Sequence, residues 1–340
     1  MNIVFRVDSS IQIGLGHLMR CVALADELKR EGCTVTFLCR ALEGNLIESV
    51  EHTVIVLEKN DDFQSDDLYL NWLGATQEQD AKQTIKVMPK MTDLLVVDSY
   101  ALGQYWHQKL RPHTKKILVI DDLADRQFDC DILLNQNLGV EEKVYEGRVP
   151  RDCKLLLGCD YALLRPEFSE TRTEALKKRH HTTEIENILV SLGGSDIDNV
   201  TYDILQQLDS KFNIVVVLGK TSPYNKMIKA YAKNKNIEVI VDANNMSELM
   251  LNADIAIGAG GSTSWERCCL GLPTLLCVLA DNQRGAAERL EDLGAVIIIK
   301  NLKTDLQLII ENPDCQNIMS NNAKSICDGL GCKRVGSYVN

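Results

Sequence analysis

Short apolar runs, each followed by a stretch of helical spacing, recur from one end of the chain to the other, and this alternation limits the possible folds more than any other feature. The runs fall at residues 2–7, 34–39, 53–57, 94–98, 116–120 and about 131–134, and again at 188–192, 214–218, 237–241, 254–258, 274–278 and 295–299. Runs this short and this apolar read as strands covered on both faces, and strands alternating with helices build parallel sheets through right-handed crossovers. The pattern therefore predicts an α/β protein of two Rossmann-like domains, residues 1–165 and 166–340, facing each other across a cleft. With 340 residues, the chain is long enough for two separate cores. From Pro166 to about residue 186 the strand character lapses into a charged stretch through Lys177-Lys178-Arg179-His180-His181. That stretch reads as the interdomain connection, and its two histidines are given no role. A last helix, from about Gln316 to Cys327, is expected to pack back on the first domain.

Composition removes several classes of function. The formal net charge of −11 opposes sequence-independent nucleic-acid binding, which needs clustered Lys and Arg to displace counterions. No apolar run approaches the roughly 20 residues of a membrane span, and the N-terminus enters a strand directly without a signal-peptide pattern. A cytoplasmic enzyme is expected, as a monomer, without nucleic-acid or membrane partners. The 12 cysteines are dispersed, and Cys21, Cys39 and Cys277 fall at core-facing positions, as small buried hydrophobes do. There is no Cys-x-x-Cys pair, the six histidines lack ligand spacing, and the adjacent Cys268 and Cys269 cannot both face one ion from a helix. Neither a metal nor a cofactor is expected.

The residues that carry chemistry cluster where strands turn into helices, the ligand-binding edge of such sheets. Ile13-Gly14-Leu15-Gly16-His17 joins the first strand to a helix whose apolar positions are Leu18, Cys21, Val22, Ala25 and Leu28. At the start of that helix the positive end of the macrodipole disfavours imidazolium, so His17 is expected to stay neutral and able to accept a proton. A histidine can also simply cap a helix there; the flanking Gly14 and Gly16 favour the reactive reading. Asp8 and Arg20, on the loop and first turn around it, are candidates to orient the ring, or form an ordinary ion pair. Tyr100, in Asp98-Ser99-Tyr100, follows an apolar strand and would face the same edge.

In the second half, Gly258-Ala259-Gly260-Gly261-Ser262-Thr263-Ser264-Trp265-Glu266 ends a strand in glycines and opens a helix. Its free N–H groups would form an anion site suited to a diphosphate, with Gly260, Gly261, Ser262, Thr263 and Ser264 as the candidates. Glu266, about one turn in, could accept hydrogen bonds from both hydroxyls of a ribose. Gly193-Gly194-Ser195-Asp196 and Leu218-Gly219-Lys220-Thr221-Ser222 end strands on the same edge. A dinucleotide oxidoreductase fits poorly: Gly14-Leu15-Gly16-His17-Leu18-Met19 lacks the third glycine of the fingerprint, and the second strand ends in Cys39-Arg40 without an acidic residue. Neither a P-loop nor a Gly-x-Ser-x-Gly elbow occurs.

These blocks carry a resemblance. Phe5-Arg6-Val7-Asp8-Ser9-Ser10, the Gly14–His17 turn with Arg20, Leu42-Glu43-Gly44, Val97-Asp98-Ser99-Tyr100, Ile120-Asp121-Asp122, Cys130-Asp131-Ile132-Leu133-Leu134-Asn135, Tyr145-Glu146-Gly147, Tyr161-Ala162-Leu163-Leu164-Arg165 and Leu192-Gly193-Gly194-Ser195-Asp196 resemble, in order, the UDP-sugar hydrolases of pseudaminic acid biosynthesis. The second half is similar to the peptidoglycan N-acetylglucosaminyltransferase. The resemblance implies the glycosyltransferase B-type fold and a substrate, UDP-2,4-diacetamido-2,4,6-trideoxy-β-L-altropyranose, cut at the anomeric carbon by water to give UDP and free sugar. It places His17 as catalytic base and Tyr100 near the reacting sugar. Where the family often has Asn before the ribose-binding Glu, this chain has Trp265. Two rival functions keep the same fold: a glycosyltransferase with an acceptor in place of water, and a nucleotide-sugar-binding protein with no catalysis.

Overall fold

The computed structural model describes residues 1–181, 184–194, 196–220 and 222–339. It divides into two compact units, one of residues Met1–Leu163 with the C-terminal segment from Gly331, the other Leu164–Leu330.

The first unit contains β1 (Asn2–Val7), α1 (Gly16–Arg30), β2 (Thr34–Arg40), β3 (Thr53–Leu57), α2 (Leu68–Leu73), α3 (Gln77–Val87), β4 (Thr92–Asp98), α4 (Gln104–Leu110), β5 (Thr114–Ile120), β6 (Ile132–Asn135) and β7 (Lys154–Leu157). All seven strands pair in parallel, in the order β3-β2-β1-β4-β5-β6-β7. Alternate residues of each strand enter opposite layers. Ile3, Phe5 and Val7 pack with Phe37, Val96 and the α1 residues Leu18, Cys21 and Leu24. Val4 joins Leu38, Leu95, Val97, Ala81 and Trp106 on the other face. Burial on both faces explains why the strands read as unbroken apolar runs. One position in β1 breaks the rule: Arg6 is fully buried, its Nη2 2.6 Å from Asp80 Oδ2, and Asp80 also accepts from Arg40 (2.7 Å) and the Trp106 indole (3.0 Å). Burial alone would raise the Asp80 carboxyl, but the two guanidiniums outweigh it and hold it below the usual carboxylate range.

The second unit contains α5 (Pro166–His181), β8 (Asn187–Ser191), α6 (Val200–Gln207), β9 (Asn213–Leu218), α7 (Asn225–Ala232), β10 (Ile237–Val241), α8 (Met246–Asn252), β11 (Ile255–Ala259), α9 (Ser262–Cys269), β12 (Thr274–Cys277), α10 (Asp281–Asp292), β13 (Val296–Ile298), α11 (Leu302–Glu311) and α12 (Pro313–Ile326). Its parallel sheet runs β10-β9-β8-β11-β12-β13. A last helix, α13 (Gly331–Val339), rejoins the first unit.

Every run expected to be a strand is one; β7 was not anticipated. The charged stretch from Pro166 is not a bare connection but a packed helix. Phe168 and Ala175 are fully buried in it, and the buried Arg179 donates to carbonyls of Met250 (2.6 Å) and Ala253 at the end of α8. Arg172 likewise donates to Lys324 (2.8 Å) and Cys327 (2.9 Å) at the end of α12. These arginines satisfy carbonyls that a helix terminus leaves open. The helix expected near Gln316–Cys327 exists as α12, but it packs on α9 within the second unit; the segment that lies on α1 is α13, through Val335 and Val339. The cysteines are free thiols, with Cys21 and Cys39 buried. Among the described residues no helix is long and apolar enough to cross a membrane.

Candidate active site

The order of the first sheet reverses between β1 and β4, and side chains from the carboxyl ends of both strands meet there. After β1, the Ser10 hydroxyl accepts from the backbone N–H groups of Gln12 (3.2 Å) and Ile13 (3.0 Å), and Gly14 takes a positive φ of 79° that a side chain would strain. This turn delivers Gly16 as the first residue of α1 and His17 as the second, 9% exposed. His17 thus opens the helix, as its spacing predicts.

Asp98, the last residue of β4, fixes the imidazole. His17 Nδ1 lies 2.6 Å from Asp98 Oδ1; Arg20 donates through Nε to Oδ2 (2.6 Å) and through Nη2 to Oδ1 (2.7 Å), and the Cys21 thiol donates to Oδ2 (3.5 Å). Burial favours the protonated acid, but Arg20 and then His17 reverse that and hold the carboxyl well below its ordinary range. An ionised carboxylate only accepts, so Nδ1 is the ring nitrogen that donates to Asp98. Tyr100 stands edge-on to His17, with centroids 4.8 Å apart at 86°, and donates its hydroxyl to Asp122 Oδ1 (2.7 Å). Burial first, and the Asp122 carboxylate second, push its phenol upward, so Tyr100 stays a proton donor. Arg20 reaches Asp122 as well, at 3.5 Å, and so ties the two carboxylates together.

His17, Asp98 and Tyr100 line a pocket together with Asp8, Tyr69 and Trp72. Arg20 reaches the histidine by way of Asp98, which both side chains contact. Asp8 does not: its Oδ1 pairs with Arg6 (2.8 Å) and accepts the Arg40 backbone N–H (2.6 Å). The carboxylate against the ring is Asp98, in sequence the charge that closes the apolar run 94–98.

In the second unit β11 ends at Gly258-Ala259, and Gly261, with φ 109°, precedes α9. Gly260, Gly261, Ser262 and Thr263 sit at that helix start, where unsatisfied N–H groups and the dipole favour an anion. Ser264 does not belong with them, because it is 3% exposed and its hydroxyl accepts from Arg267 Nη2 (3.1 Å). Arg267 also donates to the Thr263 hydroxyl (3.3 Å) and the Ala259 carbonyl (2.7 Å). It is 2% exposed, and among the described residues no carboxylate pairs with it. A Cβ on Gly258 would collide with this guanidinium, which accounts for glycine at the strand end. Sequence reasoning passed over Arg267. Glu266 is half-buried; burial pushes its carboxyl up to about 7, against the pull of Arg165 and Arg267. Trp265 is 2% exposed, so the departure from the family pattern falls on a core position.

Gly193, at φ 96°, and Gly194 follow β8, and Gly194 presses backbone to backbone on Gly219, where any side chain would clash. Asp196 caps α6, accepting from Val200 (2.9 Å) and Thr201 (3.1 Å). Ser195 and Thr221 lie outside the described residues. Among the described residues no group of three His, Cys, Asp or Glu is arranged to hold a metal ion.

Two doubly wound units, each with glycine-rich strand-to-helix turns, define a protein of the glycosyltransferase B-type fold. Residues 188–324 match the glycosyltransferase family 28 C-terminal domain. Over 296 residues the chain is 28% identical to the UDP-2,4-diacetamido-2,4,6-trideoxy-beta-L-altropyranose hydrolase of Campylobacter jejuni, which covers 86% of this chain and 97% of that protein. It is 24% identical to the spore coat polysaccharide biosynthesis protein SpsG of Bacillus subtilis, over 100% of this chain and 98% of that one. The crystal structure of Acinetobacter baumannii MurG aligns with a TM-score of 0.65 over 99% of both chains at 14% identity, a likeness of fold. The resemblance to the hydrolase read from the sequence blocks holds.

Proposed function

We propose that this protein is a UDP-sugar hydrolase of pseudaminic acid biosynthesis, which cuts UDP-2,4-diacetamido-2,4,6-trideoxy-β-L-altropyranose at its anomeric C–O bond to release UDP and the free sugar. The observation that carries this reading is the His17–Asp98 pair, in which the carboxylate engages Nδ1 while among the described residues no hydrogen bond engages Nε2, at a pocket. The 28% identity to the Campylobacter hydrolase supports the substrate.

In this reading His17 Nε2 takes a proton from water as the water attacks the anomeric carbon, and Asp98 stabilises the imidazolium that forms. The sugar passes through an oxocarbenium-like transition state while negative charge grows on the departing diphosphate. UDP belongs to the second unit: the α9 N-terminus with Gly260, Gly261, Ser262 and Thr263 receives the diphosphate, the buried charge of Arg267 adds to the field there, and Glu266 accepts the ribose hydroxyls. Gly193 and Gly194 complete the nucleotide contacts, and Tyr100 lies near the reacting sugar. UDP is a good leaving group, so the reaction needs little acid assistance.

The test is incubation of purified protein with this donor, following UDP release and the sugar product by NMR. Free sugar and UDP in equal amounts are expected. A product larger than the donor sugar in the presence of an acceptor identifies a glycosyltransferase instead, and UDP binding without turnover identifies a binding protein.

A further inference from the structure

We infer that Tyr69 and Trp72 of α2, neither of them in the catalytic pair, form an apolar wall that selects a sugar with a methyl group in place of the exocyclic hydroxymethyl. The inference rests on the hydrolase reading for the identity of the reaction.

Four rings run in contact along one side of the pocket. His17 meets Tyr100, Tyr100 meets Tyr69 at 5.3 Å between centroids, and Tyr69 meets Trp72 edge to face at 5.3 Å and 75°. The first two belong to the chemistry; the last two come from a helix of six residues, which also places the apolar Leu73 in the pocket lining. Asp67 caps that helix by accepting from the Tyr69 and Leu70 N–H groups at 2.8 and 3.0 Å, and Gly74 stops it in a left-handed turn at φ 68°. With Leu73 2% exposed, the helix is anchored from beneath while Tyr69 and Trp72 remain half-buried at the pocket.

The polar groups of the same pocket define what the wall receives. Both oxygens of Asp98 are occupied by donors. Asp8 is 4% exposed, and its Oδ2 has no hydrogen-bond partner, although Oδ1 has two. A buried acceptor left unpaired is costly, and a ligand N–H or O–H removes that cost. An acetamido substituent supplies such an N–H. The methyl edge of a 6-deoxy ring asks for no hydrogen bond and suits ring surfaces, whereas a hydroxymethyl group placed there would lose its water without compensation.

The experiment compares the 6-deoxy donor named above with its 6-hydroxy counterpart, which differs by one oxygen. Affinity by calorimetry and kcat/KM by UDP release are measured for wild type, Trp72→Ala, Tyr69→Ala and Trp72→Phe. Wild type is expected to favour the deoxy donor by about 100-fold, the scale on which an apolar pocket rejects an added hydroxyl. Each alanine variant is expected to cut the preference below about 10-fold, Trp72→Phe to keep most of it, and all four to bind UDP alone equally. A wild-type protein that does not distinguish the donors, or alanine variants that distinguish them as well as wild type, overturns the inference. If neither donor is hydrolysed the hydrolase reading fails, while the ratio of the two affinities still decides the role of the wall.

Discussion

His17 Nδ1 and Asp98 Oδ1 stand 2.6 Å apart although 81 positions separate them in the chain, because β1 and β4 lie side by side in the sheet. In the proposed reaction the carboxylate orients the imidazole. Asp98→Asn offers an amide in its place, the ring proton is no longer dictated, and kcat is expected to fall by about 10²–10⁴-fold. The same change strips the buried Arg20 of its main partner, so the melting temperature should drop as well, with a cost of about 3–5 kcal/mol if the pair is fully lost. Turnover at the wild-type rate in a folded Asp98→Asn variant would show that the pair does not serve catalysis.

Binding and chemistry are expected to separate at His17. His17→Ala removes the base, and turnover should fall by about 10²–10⁴-fold. The nucleotide contacts are assigned to the other unit, so UDP affinity measured by calorimetry should not change. Comparable losses in both would place His17 among the binding residues instead.

Glu266 predicts a pH dependence. Its carboxyl is pushed up to about 7, and ribose hydroxyls donate best to the ionised form. UDP affinity should therefore rise between pH 6 and 8 and level off above, with a component that Glu266→Gln abolishes; the glutamine variant also corrects for titration of the nucleotide itself. In the unliganded protein the sign is opposite. The folded state holds this proton more tightly than the unfolded one, so the stability it contributes is complete below about 4.5 and is lost as the pH rises to about 7. Thermal melts across that range should show wild type losing stability relative to Glu266→Gln; parallel curves would refute the raised value.

The sheets were legible because each central strand is buried on two faces and its apolar run cannot be mistaken for an amphipathic helix. Lys154–Leu157 escaped because its apolar run is only Leu155–Leu157, directly after Arg151, Asp152 and Lys154. Pro166–His181 misled because its buried Arg179 looks, in sequence, like any solvated charge; only tertiary contact shows the guanidinium on the α8 carbonyls. His17 was legible from two glycines and a helix start. Its partnership with Asp98 was not, since strand order and register decide which residues meet. Ser264 was read as facing a ligand for the same reason: Arg267, which holds its hydroxyl, is distinguishable from a surface arginine only once it is seen to be buried.

Arg267 and Gly258 are expected to fail together. A methyl group at residue 258 would occupy the space of the guanidinium, which could not remain under the Ala259–Ser264 turn. Gly258→Ala should therefore weaken UDP binding by about tenfold or more, as expected when a charged hydrogen-bonding group of 1.5–3 kcal/mol is displaced. Arg267→Met should reproduce the loss without the clash. Normal UDP affinity in Arg267→Met would confine the arginine to holding the turn.

The stereochemistry of hydrolysis follows from which pocket groups are free. Retention requires a carboxylate nucleophile that attacks the anomeric carbon before water does. Both Asp98 oxygens are occupied by His17, Arg20 and Cys21, and the open Asp8 Oδ2 is assigned to an acetamido N–H, so His17 is expected to act as the base for a single in-line attack by water. The expected first product is the inverted anomer, seen by proton NMR at early times before mutarotation. Charge on the leaving diphosphate is met by the α9 N-terminus and Arg267, so the rate should persist in excess EDTA. A chelator-sensitive rate would call for a metal. A retained anomer would turn attention to Asp8, whose Oδ2 is the pocket carboxylate oxygen without a partner, and would imply a covalent glycosyl-enzyme there.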